Sequence, residues 1–155
     1  MTYLVLKYLH VLGAIVILGA GTGIAFFMLM AHRSRDAGFI AKTAGVVVLA
    51  DLVFTASAVV AQPVTGLLLA YQAGIPLVSP WLAAALALYV VAGAFWLPVV
   101  WMQTRMRNLA AEAAATAKPL PPAYHRLFGW WFAFGIPGFG SVALILWLMI
   151  AKPDL

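Results

Sequence analysis

Apolar residues along this chain fall into long runs broken by few polar positions. No Asp, Glu, Lys or Arg occurs between Tyr8 and Ala31, nor between Leu127 and Ala151. Between Thr43 and Thr104 the only charged residue is Asp51. About 20 apolar residues cross the hydrocarbon core of a bilayer as a helix. The first and last runs therefore predict one crossing each, and the central run predicts two. Their expected bounds are roughly residues 3–32, 40–72, 81–103 and 124–151. The third is expected to continue as a helix to about residue 117, because Leu109–Ala117 is rich in alanine and carries Glu112. Breakers mark the joints. Gly74, Pro76 and Pro80 punctuate an uncharged turn, and Lys118-Pro-Leu-Pro-Pro122 ends one helix and starts the next. Proline fits a first helical turn but not a helix interior.

Four crossings joined by short loops predict an all-α fold, an antiparallel four-helix bundle making a single transmembrane domain over residues 1–155. Lipid removes the hydrophobic drive between helices, so small residues are expected where backbones meet. Gly19-x-x-x-Gly23 and the trio Gly135, Gly138 and Gly140 fit that role. Pro63, Pro98 and Pro137 fall inside spans, where each frees a carbonyl and favours a kink.

Composition sharpens the class. Of 155 residues, 66% are hydrophobic and 8% charged, against about 25% charged in a soluble domain. So few charges cannot cover a water-facing surface. The net charge of +5 does not indicate a nucleic-acid partner, because the basic residues flank apolar spans and act as topology determinants. Arg33, Arg35 and Lys42 crowd the first loop, and Arg105, Arg107, Lys118 and Arg126 the third. Only Lys7 and Lys152 lie elsewhere. The positive-inside rule predicts an inner-membrane protein with loops 33–42 and 104–123 cytoplasmic and both termini outside. The first run, with Lys7 inside it, is longer than a leader's apolar core and is expected to be retained as a span. The absence of cysteine excludes disulfides, thiolate metal sites, iron–sulfur clusters and covalently attached haem.

Polar groups inside a bilayer are costly and are the first places to look for chemistry. His10 lies about two turns from the outer end of the first span. A neutral imidazole there can ligate a haem iron, shuttle a proton, or simply hydrogen-bond at the interface. In the second span Asp51, Thr55, Ala58, Gln62 and Thr65 follow one another at four- and three-residue steps, which is one helical face. That face is expected to turn inward, with Gln62, Thr65 and Gly66 at the depth of His10 and Asp51 nearer the cytoplasm. A lone carboxylate there must keep its proton or pair with a cation such as Lys42 or Arg105. Asp51 and Thr55 are a candidate proton relay; interhelical hydrogen bonding accounts for the same residues. Trp81 and Trp147 suit the outer interface, and Trp101, Trp130 and Trp131 the inner half, as an aromatic belt. His32 and His125 are expected at cytoplasmic helix ends, among lipid headgroups.

The opening Leu6-Lys7-Tyr8-Leu9-His10-Val11, with Gln62-Pro63-x-x-Gly66 and Pro80-Trp81-Leu82, resembles the membrane-bound, haem-containing protoporphyrinogen oxidases of bacteria. Those are short four-helix proteins that begin with a similar Lys-x-x-His. The resemblance implies a b-type haem ligated by His10. The oxidases also carry an arginine in the inner half of the first span and a lysine after the Trp-Leu pair, where this chain has apolar residues around Phe26 and Ala83, Ala84 and Ala85. Over nearly its whole length the chain is similar to an uncharacterised family of short bacterial integral membrane proteins. The shared features are the Lys-Tyr-Leu-His opening, an Ala-Asp segment, Gln-Pro-x-Thr-Gly and Pro-Pro-Ala-Tyr-His-Arg.

Together these readings give one expectation and one alternative. The expectation is haem b held by His10, with Gln62 and Thr65 in the cofactor site, serving membrane electron transfer or porphyrinogen-type oxidation with a redox partner or a second copy in the bilayer. The alternative is a non-catalytic structural, assembly or sensor subunit whose polar stripe serves helix packing.

Overall fold

The computed structural model describes residues 2–153. It contains α1 (Thr2–Ser34), α2 (Ala37–Gln72), α3 (Pro80–Ala115) and α4 (Pro122–Ala151). All four are long and apolar enough to cross a membrane, and no strand occurs among the described residues. The helices begin and end within a few residues of the expected helical bounds, α3 running on past residue 103 to Ala115. The shortest, α4, has 30 residues, about 45 Å at 1.5 Å per residue. A hydrocarbon core of about 30 Å leaves the helix ends in the headgroup layers.

The helix ends follow from local chemistry. Ser34 Oγ donates to the Ala31 carbonyl at 2.7 Å, and Arg35 takes a left-handed conformation (φ 59°) that stops α1. Asp36 then caps α2, its carboxylate accepting from the Phe39 amide at 2.9 Å, a group no helical carbonyl serves. At the far end of α2, Gly74 (φ 65°) allows the Ile75 amide to reach the Ala70 carbonyl at 2.9 Å and its own amide to reach Tyr71 at 3.2 Å. That pair of bonds is a Schellman stop. The same stop closes α3, with Lys118 bonded to Ala113 at 3.0 Å and Ala117 to Ala114 at 3.3 Å. There an alanine, Ala117, occupies the left-handed position (φ 51°).

Helix α3 packs along α2 and α4, α1 packs along α2, and a narrower α1–α4 contact closes the ring. The main core sits at the loop end, away from the termini. It joins Met28 and Ala31 of α1, Ile40 and Ala44 of α2, Met106 of α3 and Tyr124 of α4. At the termini end, α1 turns Leu4, Tyr8, Val11 and Ile15 outward, an apolar surface for lipid.

Two sequence expectations are corrected. Gly19, Gly23, Gly135 and Gly140 meet no neighbouring helix within 4 Å. Gly138 does meet its neighbour as expected, its added Cβ lying 3.5 Å from Phe95 Cβ, and closer approaches lie at Gly13 and Gly66, between α1 and α2. Glycine spacing names a face but not the neighbour it meets. Trp131 is not a belt residue: it is 5% exposed and packed in the core, whereas Trp101 and Trp130 are more than half exposed.

Candidate functional site

Helix α2 is not α-helical throughout. Asp51–Ala56 winds as a π-helix, wider by one residue per turn than the α-helix on either side. Such segments reset the direction of every side chain beyond them and recur at functional sites. Here the reset divides the polar stripe between two neighbours: Asp51 turns to α3, and Gln62 and Thr65 turn to α1.

The first cluster surrounds His10. Its Nδ1 lies 2.9 Å from Thr65 Oγ1. The Thr65 hydroxyl also lies 2.8 Å from the Ala61 carbonyl and 3.2 Å from that of Gln62. A hydroxyl has one proton, and carbonyls can only accept. With that proton on α2's own backbone, Nδ1–H of His10 donates to the Thr65 oxygen; with it turned to the ring, Nδ1 accepts. In the first arrangement Nε2 keeps its lone pair, and it has no hydrogen-bond partner among the described residues. Gln62 contributes differently: its Nε2 donates to the His10 backbone carbonyl at 2.7 Å. Two glycines make room. A Cβ on Gly66 would lie 3.1 Å from His10 Cε1, and one on Gly13 would overlap the Gln62 amide.

The second cluster surrounds Asp51, which is 3% exposed. Trp96 Nε1 of α3 donates to Oδ1 at 3.3 Å, so the partner is an indole and neither Lys42 nor Arg105. Oδ2 and the buried Thr55 hydroxyl have no hydrogen-bond partner among the described residues. Gln103 Oε1 and Trp131 Nε1 are likewise buried and unpaired. Asp51 stands eleven residues before Gln62, about 16 Å along the axis. The structure thus does not join Asp51 and Thr55 to the His10 cluster by direct contact.

Between the clusters lies a contact absent from the sequence reading. Pro63 has no N–H to give the Val59 carbonyl, and the Tyr89 hydroxyl donates to that oxygen at 2.6 Å. Trp96 and Tyr89 had no motif to flag them; the only available signal was a polar-tipped aromatic in mid-span facing a proline or an acid on the adjacent antiparallel helix. At the loop end, His32 and His125 do come together, their rings 5.9 Å apart edge to face.

No group of three or more His, Asp or Glu that could hold a metal ion converges among the described residues. A single imidazole with Nδ1 engaged and Nε2 open suits an iron whose equatorial ligands a porphyrin supplies. His10 fits that donor role, with Thr65 as its outer partner.

No curated protein and no solved structure matches this chain. A family model described as "Predicted integral membrane protein (DUF2269)" matches residues 4–153. With four apolar helices crossing the bilayer and that match over nearly its full length, the chain belongs to the DUF2269 family of integral membrane proteins.

Proposed function

We propose that this protein is a haem b-binding membrane protein in which His10 would hold the iron, acting in electron transfer or porphyrinogen-type oxidation at the bilayer. One observation carries the reading: His10 Nδ1 is held 2.9 Å from Thr65 Oγ1, which orients the ring and keeps Nε2 available. A ligating histidine almost always has its second nitrogen held in this way, and the partner raises the basicity of the ligand. Haem would supply one-electron chemistry when bound. The chain's own residues orient the imidazole through Thr65, fix its backbone through Gln62, and bring α2 close through Gly66. Asp51, with one oxygen unpaired beside Thr55, serves as a proton-holding group between α2 and α3. The Arg-rich loops face the cytoplasm by the positive-inside rule.

A second reading is favoured by the Gln62 bond to the His10 carbonyl, which staples α1 to α2 without any ligand. In that reading the protein is a structural or assembly subunit. One experiment separates the two. The full chain, produced in haem-replete cells and purified in detergent, is examined by absorption spectroscopy beside His10→Ala and Gln62→Leu. Haem ligation predicts a Soret band in the wild type that is lost in His10→Ala and retained in Gln62→Leu. A folded, colourless wild type that takes up no added haem overturns it in favour of the structural reading.

A further inference from the structure

A second site lies far from His10, at the end of the bundle away from the termini. The last turn of α1 and the segment leading into α4 enclose an open cleft of about 620 Å³ lined by His32, Arg33, Arg35, Pro119, Leu120 and His125. Two arginines and two histidines are among its lining residues, and no Asp or Glu is. The nearest acid in sequence, Asp36, commits Oδ1 to capping α2.

The cleft is also built to hold shape. His32 stacks on Phe128 with ring centroids 3.6 Å apart and planes 7° apart, and its Nδ1 lies 3.3 Å from the hydroxyl of fully buried Tyr124. His125 meets the His32 ring edge to face. Arg35 is held in the left-handed region (φ 59°) between two helix ends, so the loop carrying it has little slack. Guanidinium forks and imidazole donors match a tetrahedral oxyanion that accepts several hydrogen bonds at once. Helices of this length put their ends at headgroup level, and basic pockets between membrane helices are known settings for anionic headgroups.

We propose that this cleft binds a phosphate group, presented by an anionic lipid headgroup or by a soluble phosphate, with Arg33 and Arg35 as the main contacts and His32 and His125 as the flanking donors. The site is independent of His10 and of any haem.

The test uses the full chain in neutral detergent, exposed to phosphatidylglycerol or phosphatidylcholine and read by native mass spectrometry. Phosphatidylglycerol is expected to stay bound at occupancies where phosphatidylcholine is lost. R33Q/R35Q is expected to lower its occupancy about tenfold or more, the scale of two basic contacts near a membrane surface. K42Q/R105Q, which removes the same charge from exposed positions outside the cleft, is expected to leave it unchanged. Should R33Q/R35Q fail to fold, His125→Gln, at an exposed position, is expected to weaken binding in the same direction. Displacement of the lipid by millimolar inorganic phosphate assigns a soluble phosphate as the ligand, and resistance to it assigns the lipid headgroup. Equal binding by wild type and R33Q/R35Q, or equal loss in K42Q/R105Q, overturns the proposal.

Discussion

Replacing Thr65 by valine exchanges a hydroxyl for a methyl of nearly the same size, so packing between α1 and α2 is preserved while one polar contact is erased. The Ala61 carbonyl still receives the helical amide of residue 65, so no acceptor is orphaned there. The loss falls on His10, whose Nδ1–H, held 2.9 Å from Thr65 Oγ1, is left without a partner in a half-buried position. Leaving a buried donor unpaired costs about 1–3 kcal/mol, and interhelical hydrogen bonds in membranes average about 0.6 and reach about 1.7 kcal/mol. About 1–2 kcal/mol is the expected loss. If the same bond orients a ligating imidazole, haem affinity falls by about 10–100-fold, the usual cost of removing such an outer partner. Denaturant unfolding in detergent reads the first quantity, and the ratio of Soret to protein absorbance during haem titration reads the second. Thr65→Ser keeps the hydroxyl and is expected to recover most of both. If Thr65→Val matched wild type in each assay, or Thr65→Ser were as damaged as Thr65→Val, the bond would carry no weight and the reasoning would fail.

Other contacts make equally definite predictions. Tyr89→Phe abandons the Val59 carbonyl that Pro63 leaves free and should cost about 1 kcal/mol. In a Pro63→Ala background the new amide serves that carbonyl, so the cost should largely vanish; additive losses by denaturant unfolding would refute the assignment. Ala117→Gly relieves a left-handed alanine at the end of α3, which costs about 1–2 kcal/mol, against about 0.5–1 kcal/mol of added chain entropy. A net gain of up to about 1.5 kcal/mol should appear as a higher unfolding midpoint, and a loss would contradict it. Gly66→Ala places a Cβ 3.1 Å from His10 Cε1 and should displace the ring, lowering haem retention more than a matched Gly19→Ala, where nothing lies within 4 Å.

The spans were legible because charge is scarce over whole bilayer widths, with Asp51 the one charged residue between Thr43 and Thr104, a constraint strong enough to read from residue type alone. The pairing of His10 with the Gln62–Thr65–Gly66 segment was legible for a related reason: antiparallel neighbours joined by a short loop bring set depths together. The jobs of those residues were not. Gln62 spends its amide on a backbone carbonyl, and Thr65 is the residue that hydrogen-bonds the ring, a choice made by helix rotation that spacing does not encode. The division of the stripe was hidden too, since the π-helical turn at Asp51–Ala56 has no residue signature. Trp131 carries the composition of a belt residue and the burial of a core one. Only the neighbouring helices decide between them.

The claim on which the rest depends is the state of one ring, and nitrogen NMR reads it directly. The haem-free protein, labelled with ¹⁵N-histidine in lipid nanodiscs, gives the His10 resonances by comparison with His10→Ala. A protonated Nδ1 and a lone-pair-bearing Nε2, with the Nδ1 signal altered by Thr65→Val, is the result expected. A proton found on Nε2, with Nδ1 accepting from Thr65, would contradict it.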